Sequence, residues 1–208
     1  MAKKMKDSAA DLRRELEERL RFETLLADIS TRFISLPADE IDSEIEDAQR
    51  RICECLSLDL SALWQWSGEI PAVVTLTHLY SPPGGPSRPE RLVAHEVFPW
   101  VFERLLRKET LTFSLEQMPP EAHRDQETYR YYGIKSSVSL PLSVGGGPLI
   151  GILSFNTLWN ERVWPAETVS RLSLVAQIFS NALARKEADR ILQEGEARGV
   201  FKTLNLDL

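Results

Sequence analysis

Between residues 134 and 156 the chain spells out a hairpin more plainly than any other feature. Ile134, Val138, Leu140, Leu142 and Val144 alternate with Lys135, Ser137, Ser139, Pro141 and Ser143, the period-two pattern of a half-buried strand. Gly145-Gly146-Gly147-Pro148 breaks the pattern, and a second β-rich run covers 149–155. Glycines at the break supply the positive φ or unhindered backbone that a tight reversal needs. After a Trp-containing connection, Trp164-Pro165-Ala166-Glu167 opens a long helix, with proline in the first turn and a carboxylate near the N-terminal dipole.

The run Ser139-Leu140-Pro141-Leu142-Ser143-Val144, the glycines, and Leu149-Ile150-Gly151-Ile152-Leu153-Ser154-Phe155 resemble the strand-turn-strand signature of GAF domains. The resemblance spans about residues 22–186 and includes the expected order of helices and strands. It implies an α+β fold, an α/β sandwich with a GAF/PAS-like central antiparallel sheet of five to six strands. Terminal helices would pack on one face, and lid helices and loops, within residues 81–133, on the other. Residues 1–21 then read as a helical signalling linker, 22–186 as the GAF domain and 187–208 as a helical linker toward a following module. GAF domains are sensory and regulatory modules that bind very different small molecules, so the fold does not name a ligand.

Composition agrees with one such domain. The 208 residues are 43% hydrophobic, enough for a real core. A net charge of −6 excludes a large phosphate-binding face, because nucleic-acid affinity rests on clustered Lys and Arg. The short basic start, Lys3, Lys4 and Lys6, does not change that. Glycines, prolines and Asn156 interrupt the most apolar stretch, 140–158, and no secretory pattern is present, so the segment is expected to be cytoplasmic without membrane contact.

Along the chain, Asp7 or Ser8 is expected to cap a first helix, with 11–21 as a solvated lead-in. Phe22, Leu26, Ile29 and Phe33 follow at spacings of 4, 3 and 4 on one helical face. Asp39 is expected to cap a second helix whose Ile41, Ile45, Ala48, Ile52 and Leu56 share a face. Strands are expected at 60–66, 72–80 and 110–114, a loop at 81–89, and helices near 98–107, 121–132 and 165–194.

Chemical sites mostly fail on geometry. Cys53 and Cys55 point about 200° apart on a helix and cannot share a metal or a disulfide; Cys55, on the face of Ile52 and Leu56, reads as a buried apolar residue. The resemblance also bears on redox chemistry: free methionine sulfoxide reductases share the GAF fold and need a cysteine near the cavity, and neither thiol lies in the lid segment. His95-Glu96-Val97-Phe98-Pro99 lacks the second histidine of a zinc-protease helix. His78, His95 and His123 show no repeated spacing, so neither a metal nor a catalytic set is expected.

Val74, Leu76, His78 and Tyr80 share one side of a strand by alternation, and His78 there reads either as a cavity residue or as a satisfied core histidine. The aromatics before and within the lid could line a small-molecule pocket or fill a core. The candidate ligand residues are Trp64, His78, Tyr80, Phe98, Trp100, Tyr131, Ser137, Ser139 and Asn156, the last three with Ser154 as polar groups of the hairpin. The cofactor, if any, is unknown. Against the GAF resemblance, Thr157 after Asn156 departs from the cyclic-nucleotide-binding pattern, and the bilin-binding Asp-x-Pro motif is missing.

Leu172, Val175, Phe179 and Ala182 recur at 3, 4 and 3. With Phe22, Leu26 and Ile29 they form an apolar seam expected to hold a homodimer. The resulting expectation is a non-catalytic sensory domain of a bacterial signalling protein, a sensor histidine kinase or enhancer-binding activator with neighbouring PAS or kinase modules. It would bind a small molecule under the lid and relay through a dimeric bundle. The alternatives are a ligand-free dimerisation scaffold and, third, a reductase of the methionine sulfoxide type.

Overall fold

The computed structural model describes residues 2–66, 73–84 and 88–204. Ala72 at the expected strand start, 85–87 of the Pro/Gly loop, and Met1 and 205–208 of the expected linkers lie outside them. A six-stranded antiparallel sheet, ordered β3-β2-β1-β6-β5-β4, forms the middle layer. Its strands are β1 Leu60–Trp66, β2 Val73–Tyr80, β3 Arg91–Val93, β4 Leu111–Ser114, β5 Ser136–Ser143 and β6 Leu149–Thr157. Three long helices, α1 Ala2–Ser35, α2 Ile41–Leu56 and α6 Ala166–Leu204, cover one face. The lid on the other face carries α3 Ala94–Val97, α4 Pro99–Leu106 and α5 His123–Tyr131.

The hairpin forms as its pattern requires, with Gly145 and Gly146 at φ +55° and +75° in the turn. Val138, Leu140 and Leu142 pack against the helices, while Ser139 faces the lid. Both layers bury β5, so its period-two pattern records two packed faces of different polarity; Ser136, Ser137 and Ser139 are as enclosed as their apolar neighbours. Gly151 is required by close approach: a Cβ there would stand 2.4 Å from the Trp64 carbonyl oxygen across the β1/β6 pair.

Helix starts differ from expectation. α1 already runs from Ala2, so Asp7 and Ser8 lie inside it. Asp39 sits in a 3-10 turn, Ala38–Glu40, and the residue before α2 is Glu40, without a side-chain cap. α2 buries Ile41, Ile45, Ala48, Ile52 and Cys53, so Cys53, rather than Cys55, is the fully buried thiol. Burial pushes that thiol far above its ordinary range and keeps it protonated.

α1 and α6 run parallel across the sheet. Arg19 pairs with Glu167 at 2.6 Å and Arg171 with Glu23 at 2.8 Å. Further along, Arg185 donates to the carbonyls of Phe33, Ile34 and Leu36 at 3.2, 3.2 and 2.8 Å, satisfying the end of α1. Phe22, Ile29, Leu172, Val175, Phe179 and Ala182 are all spent on this internal core, with Phe33 and Phe179 ring centroids 5.5 Å apart. Leu26 packs at its edge, half-buried. The face expected to meet a partner subunit is the face that covers the chain's own sheet.

Candidate functional site

One-residue bookkeeping in β2 decides what faces the lid. β1 and β2 pair Leu63 with His78 but Trp64 with Leu76, leaving Thr77 as an extra, unpaired residue. Such a bulge reverses the parity of the strand. Val74 therefore lies on the lid side, while His78 and Tyr80 turn to the helix side. His78 is 3% exposed, its Nδ1 2.9 Å from the Thr77 hydroxyl and its Nε2 3.3 Å from an Asp42 carboxylate oxygen. Asp42 also receives the Lys186 ammonium. Burial lowers the His78 pKa, with Asp42 opposing it.

Between sheet and lid lies a cavity of about 70 Å³. Leu60, Ala62 and Trp64 of β1, Ser139 of β5, and Ile152, Ser154 and Asn156 of β6 form its floor. Phe98, Val101, Phe102, Leu105, Tyr129 and Tyr132 come down from the lid, with Val74, Leu92 and Ala94 at the side and Arg88 and Pro89 at the rim. The walls are apolar, and the floor carries a short polar strip. Asn156 Nδ2 donates to Ser154 Oγ at 3.3 Å, and Ser154 Oγ donates to the Ala62 carbonyl at 3.3 Å. Ser139 stands 3.4 Å from Ser137 and hydrogen-bonds with the buried Tyr129 phenol. Burial holds that phenol far above its ordinary pKa, so it remains a neutral donor.

The lid is held by few polar contacts. Asp125, fully buried, accepts from the backbone N–H groups of Trp100 and Val101 at 3.1 and 2.9 Å. Thr128 donates to the Val97 carbonyl at 2.9 Å. Phe98 and Phe113 ring centroids lie 4.9 and 4.8 Å from that of Tyr129.

Of the residues expected from sequence, Trp64, Phe98, Ser139 and Asn156 meet at the cavity, and Ser137 lies beneath its edge. His78 and Tyr80 sit on the opposite face because of the bulge. Trp100 lies outside the lining with Arg104 stacked 4.0 Å over its ring, and Tyr131 is 77% exposed, edge-on to Tyr132. His95 and His123 are exposed. Among the described residues no group of three His, Cys, Asp or Glu could hold a metal ion.

Arg88 was not anticipated. Its guanidinium stands 4.9 Å from the Tyr132 ring centroid, and its Nε and Nη2 are enclosed with no hydrogen-bond partner among the described residues. Among the described residues no carboxylate lines the cavity, and burial lowers the Arg88 pKa. An arginine in a Pro/Gly loop carries no sequence signal distinguishing it from a solvated surface charge.

The GAF domain family model matches residues 40–183. Comparison with curated proteins gives no match. Among solved structures, the phycoerythrobilin-bound GAF domain of a cyanobacterial phytochrome aligns with TM-score 0.66 and 15% identity over 81% of this chain and 97% of that one. The GAF domain of a phosphoenolpyruvate-protein phosphotransferase from Coxiella burnetii aligns with TM-score 0.63 and 17% identity, over 83% and 98%. The free methionine-R-sulfoxide reductase of Neisseria meningitidis, in complex with its substrate, aligns with TM-score 0.62 and 13% identity, over 81% and 91%. At these identities the likeness shows the fold, and with the family model covering more than half of its length, the chain belongs to the GAF domain family.

Proposed function

We propose that this chain is the non-catalytic sensory GAF domain of a bacterial signalling protein, a sensor histidine kinase or an enhancer-binding activator. The observation that carries the reading is the cavity between sheet and lid, apolar on its walls and carrying Ser139, Ser154 and Asn156 on its floor. This is how small-molecule sites are built, with few polar groups fixing orientation. Catalysis of the reductase type has little to work with: both cysteines lie on α2, across the sheet from the cavity, and both are free. Among the described residues no helix is long and apolar enough to cross a membrane; we place the domain in the cytoplasm, with no nucleic-acid partner.

Output runs through the long helices. α1 and α6 are parallel, so α1 reaches past the sheet at one end and α6 at the other, a geometry suited to a position between modules such as PAS and kinase domains. A homodimer would use a different stripe from the buried seam: Leu12, Leu16, Leu20 and Ile34 on α1 and Leu174 and Leu192 on α6 are 46–73% exposed. Helices that project beyond a sheet need such a partner to be stable in water. Leu16→Glu with Leu20→Glu should convert a dimer to a folded monomer in sedimentation; an unchanged dimer refutes that interface.

A second reading, a ligand-free dimerisation scaffold, is favoured by the small size of the cavity, about 70 Å³. Native mass spectrometry with a visible absorption spectrum decides between them. A non-covalent mass per subunit or a chromophore band supports the sensor; a dimer that stays clean through a ligand screen by thermal shift supports the scaffold.

A further inference from the structure

We propose that the cavity takes a small organic monocarboxylate, its carboxylate held by Arg88 and its apolar body lying between Phe98 and Trp64. The inference rests on the reading of the cavity as a ligand site and names the chemical class of the ligand.

The argument starts from the edge of the guanidinium that lacks partners. Nε and Nη2 are the two nitrogens enclosed and unsatisfied. Their N–H bonds lie along one edge of the planar group and point the same way, the fork that grips both oxygens of a carboxylate. A guanidinium withdrawn from water without an anion is costly, and the usual remedy in a protein is a neighbouring Asp or Glu. Among the described residues the cavity lining supplies none. Tyr132, stacked at 4.9 Å, orients the group through its ring face without occupying the donor edge. The donor edge of Arg88 is therefore held in place without an acceptor among the described residues.

The remaining lining limits the ligand further. Beyond Arg88, the polar side chains among the described lining residues carry no charge: Ser139, Ser154 and Asn156, the Tyr129 and Tyr132 phenols and the Trp64 indole. One cation matches one negative charge, and a dianion would keep a charge unpaired among apolar walls. An apolar body suits the walls, and a single hydroxyl or carbonyl at the far end would meet Asn156. Size follows too. The cavity of about 70 Å³ is half the roughly 150 Å³ that holds benzene in an apolar core, so a ring-bearing acid enters only as the lid moves outward.

The test uses the whole chain at fixed ionic strength and pairs each acid with its neutral amide: benzoate with benzamide, phenylacetate with phenylacetamide, 3-methylbutanoate with 3-methylbutanamide. Affinity is read by calorimetry and stability by thermal shift. At least one acid should bind about tenfold or more tighter than its amide. Arg88→Met should lose that preference, and Arg88→Lys should keep only part of it, since an ammonium lacks the fork. Without ligand, Arg88→Met should melt at or above wild type, because it removes an uncompensated charge. Equal binding of acid and amide, retained in Arg88→Met, overturns the carboxylate assignment and leaves the cavity a neutral-ligand site. No binding by any pair overturns it as well, and the native mass spectrum then judges the sensor reading separately. An unliganded Arg88→Met that is less stable than wild type shows the arginine to be a packing element and overturns the proposal.

Discussion

Asp125→Ala should loosen the lid and leave the sheet in place. In the native protein Asp125 is wholly buried, and its two oxygens accept from Trp100 N–H at 3.1 Å and Val101 N–H at 2.9 Å. These donors belong to the first turn of α4, whose N–H groups have no acceptor within the helix. Alanine orphans both of them where water has little access. Each orphaned buried donor costs about 1–3 kcal/mol, so the pair costs roughly 2–6 kcal/mol. Burying the carboxylate is itself unfavourable, as its raised pKa shows. Deleting it offsets part of the loss and leaves a net of about 2–4 kcal/mol. Asp125→Asn keeps one acceptor and should lose roughly half as much. Urea unfolding gives the global value, and hydrogen exchange localises it: amides of α4 and α5 should exchange faster in the variant while those of β1, β5 and β6 keep their protection. A loss below about 0.5 kcal/mol, with unchanged exchange in α4, would show that apolar contacts alone seat the lid.

Gly151→Ala should destabilise the fold by about 2–3 kcal/mol in urea unfolding, because the new Cβ would stand 2.4 Å from a backbone oxygen that moves only if β1 and β6 part; a loss under 1 kcal/mol refutes that rigidity. Phe179→Ala should cost about 3–5 kcal/mol and reduce the folded population, since the ring is fully buried against Phe33, whereas Leu174→Glu, on an exposed face, should weaken self-association with secondary structure intact; circular dichroism beside sedimentation separates the two. His78 gives a pH dependence with a defined sign. Its pKa is lowered in the fold from 6.5, chiefly by burial. As pH falls below about 6.5 the unfolded chain takes up a proton that the native protein refuses, so stability present above that pH is lost as pH falls toward the native pKa. His78→Gln should flatten that limb of a stability-versus-pH curve, and a variant that tracks wild type would refute the assignment.

The hairpin and the sheet-facing stripes of α1, α2 and α6 were legible because period and turn chemistry agree over many residues there. β3 was not, since three residues paired to β2 carry no periodicity of their own. The face of His78 was hidden by a single unpaired residue: an alternating run such as 73–80 reads identically with or without a bulge, and only the partner strand reveals that Thr77 is extra. The seam of Phe22, Ile29, Leu172, Val175 and Phe179 was correctly apolar, yet spacing cannot say whether a helix covers its own sheet or another subunit. At the site, Trp64 and Phe98 were nameable from aromatic content and Ser139 and Asn156 as polar groups of the hairpin, without their face. Arg88 was not, because enclosure of a loop charge is decided by Tyr132 and the lid, far away in sequence.

That distribution also dictates how a ligand would act. The cavity floor is made of strands paired on both sides and packed against α1, α2 and α6, whereas its roof rests on Asp125, Thr128 and aromatic contacts. A ligand larger than about 70 Å³ therefore spends its binding free energy moving the roof, because the floor has far more to break. Movement confined to the roof is silent to α6, which lies beneath the floor. β2 bridges the two layers: Val74 faces the cavity before the bulge, and His78 after it meets Asp42, which holds Lys186 on α6. Coupling in such an arrangement is limited by the difference in ligand affinity between the roof-in and roof-out states. The bulge in β2 decides which residues make this link: it turns His78, which simple alternation would place beside Val74 on the cavity side, toward Asp42 and the helices.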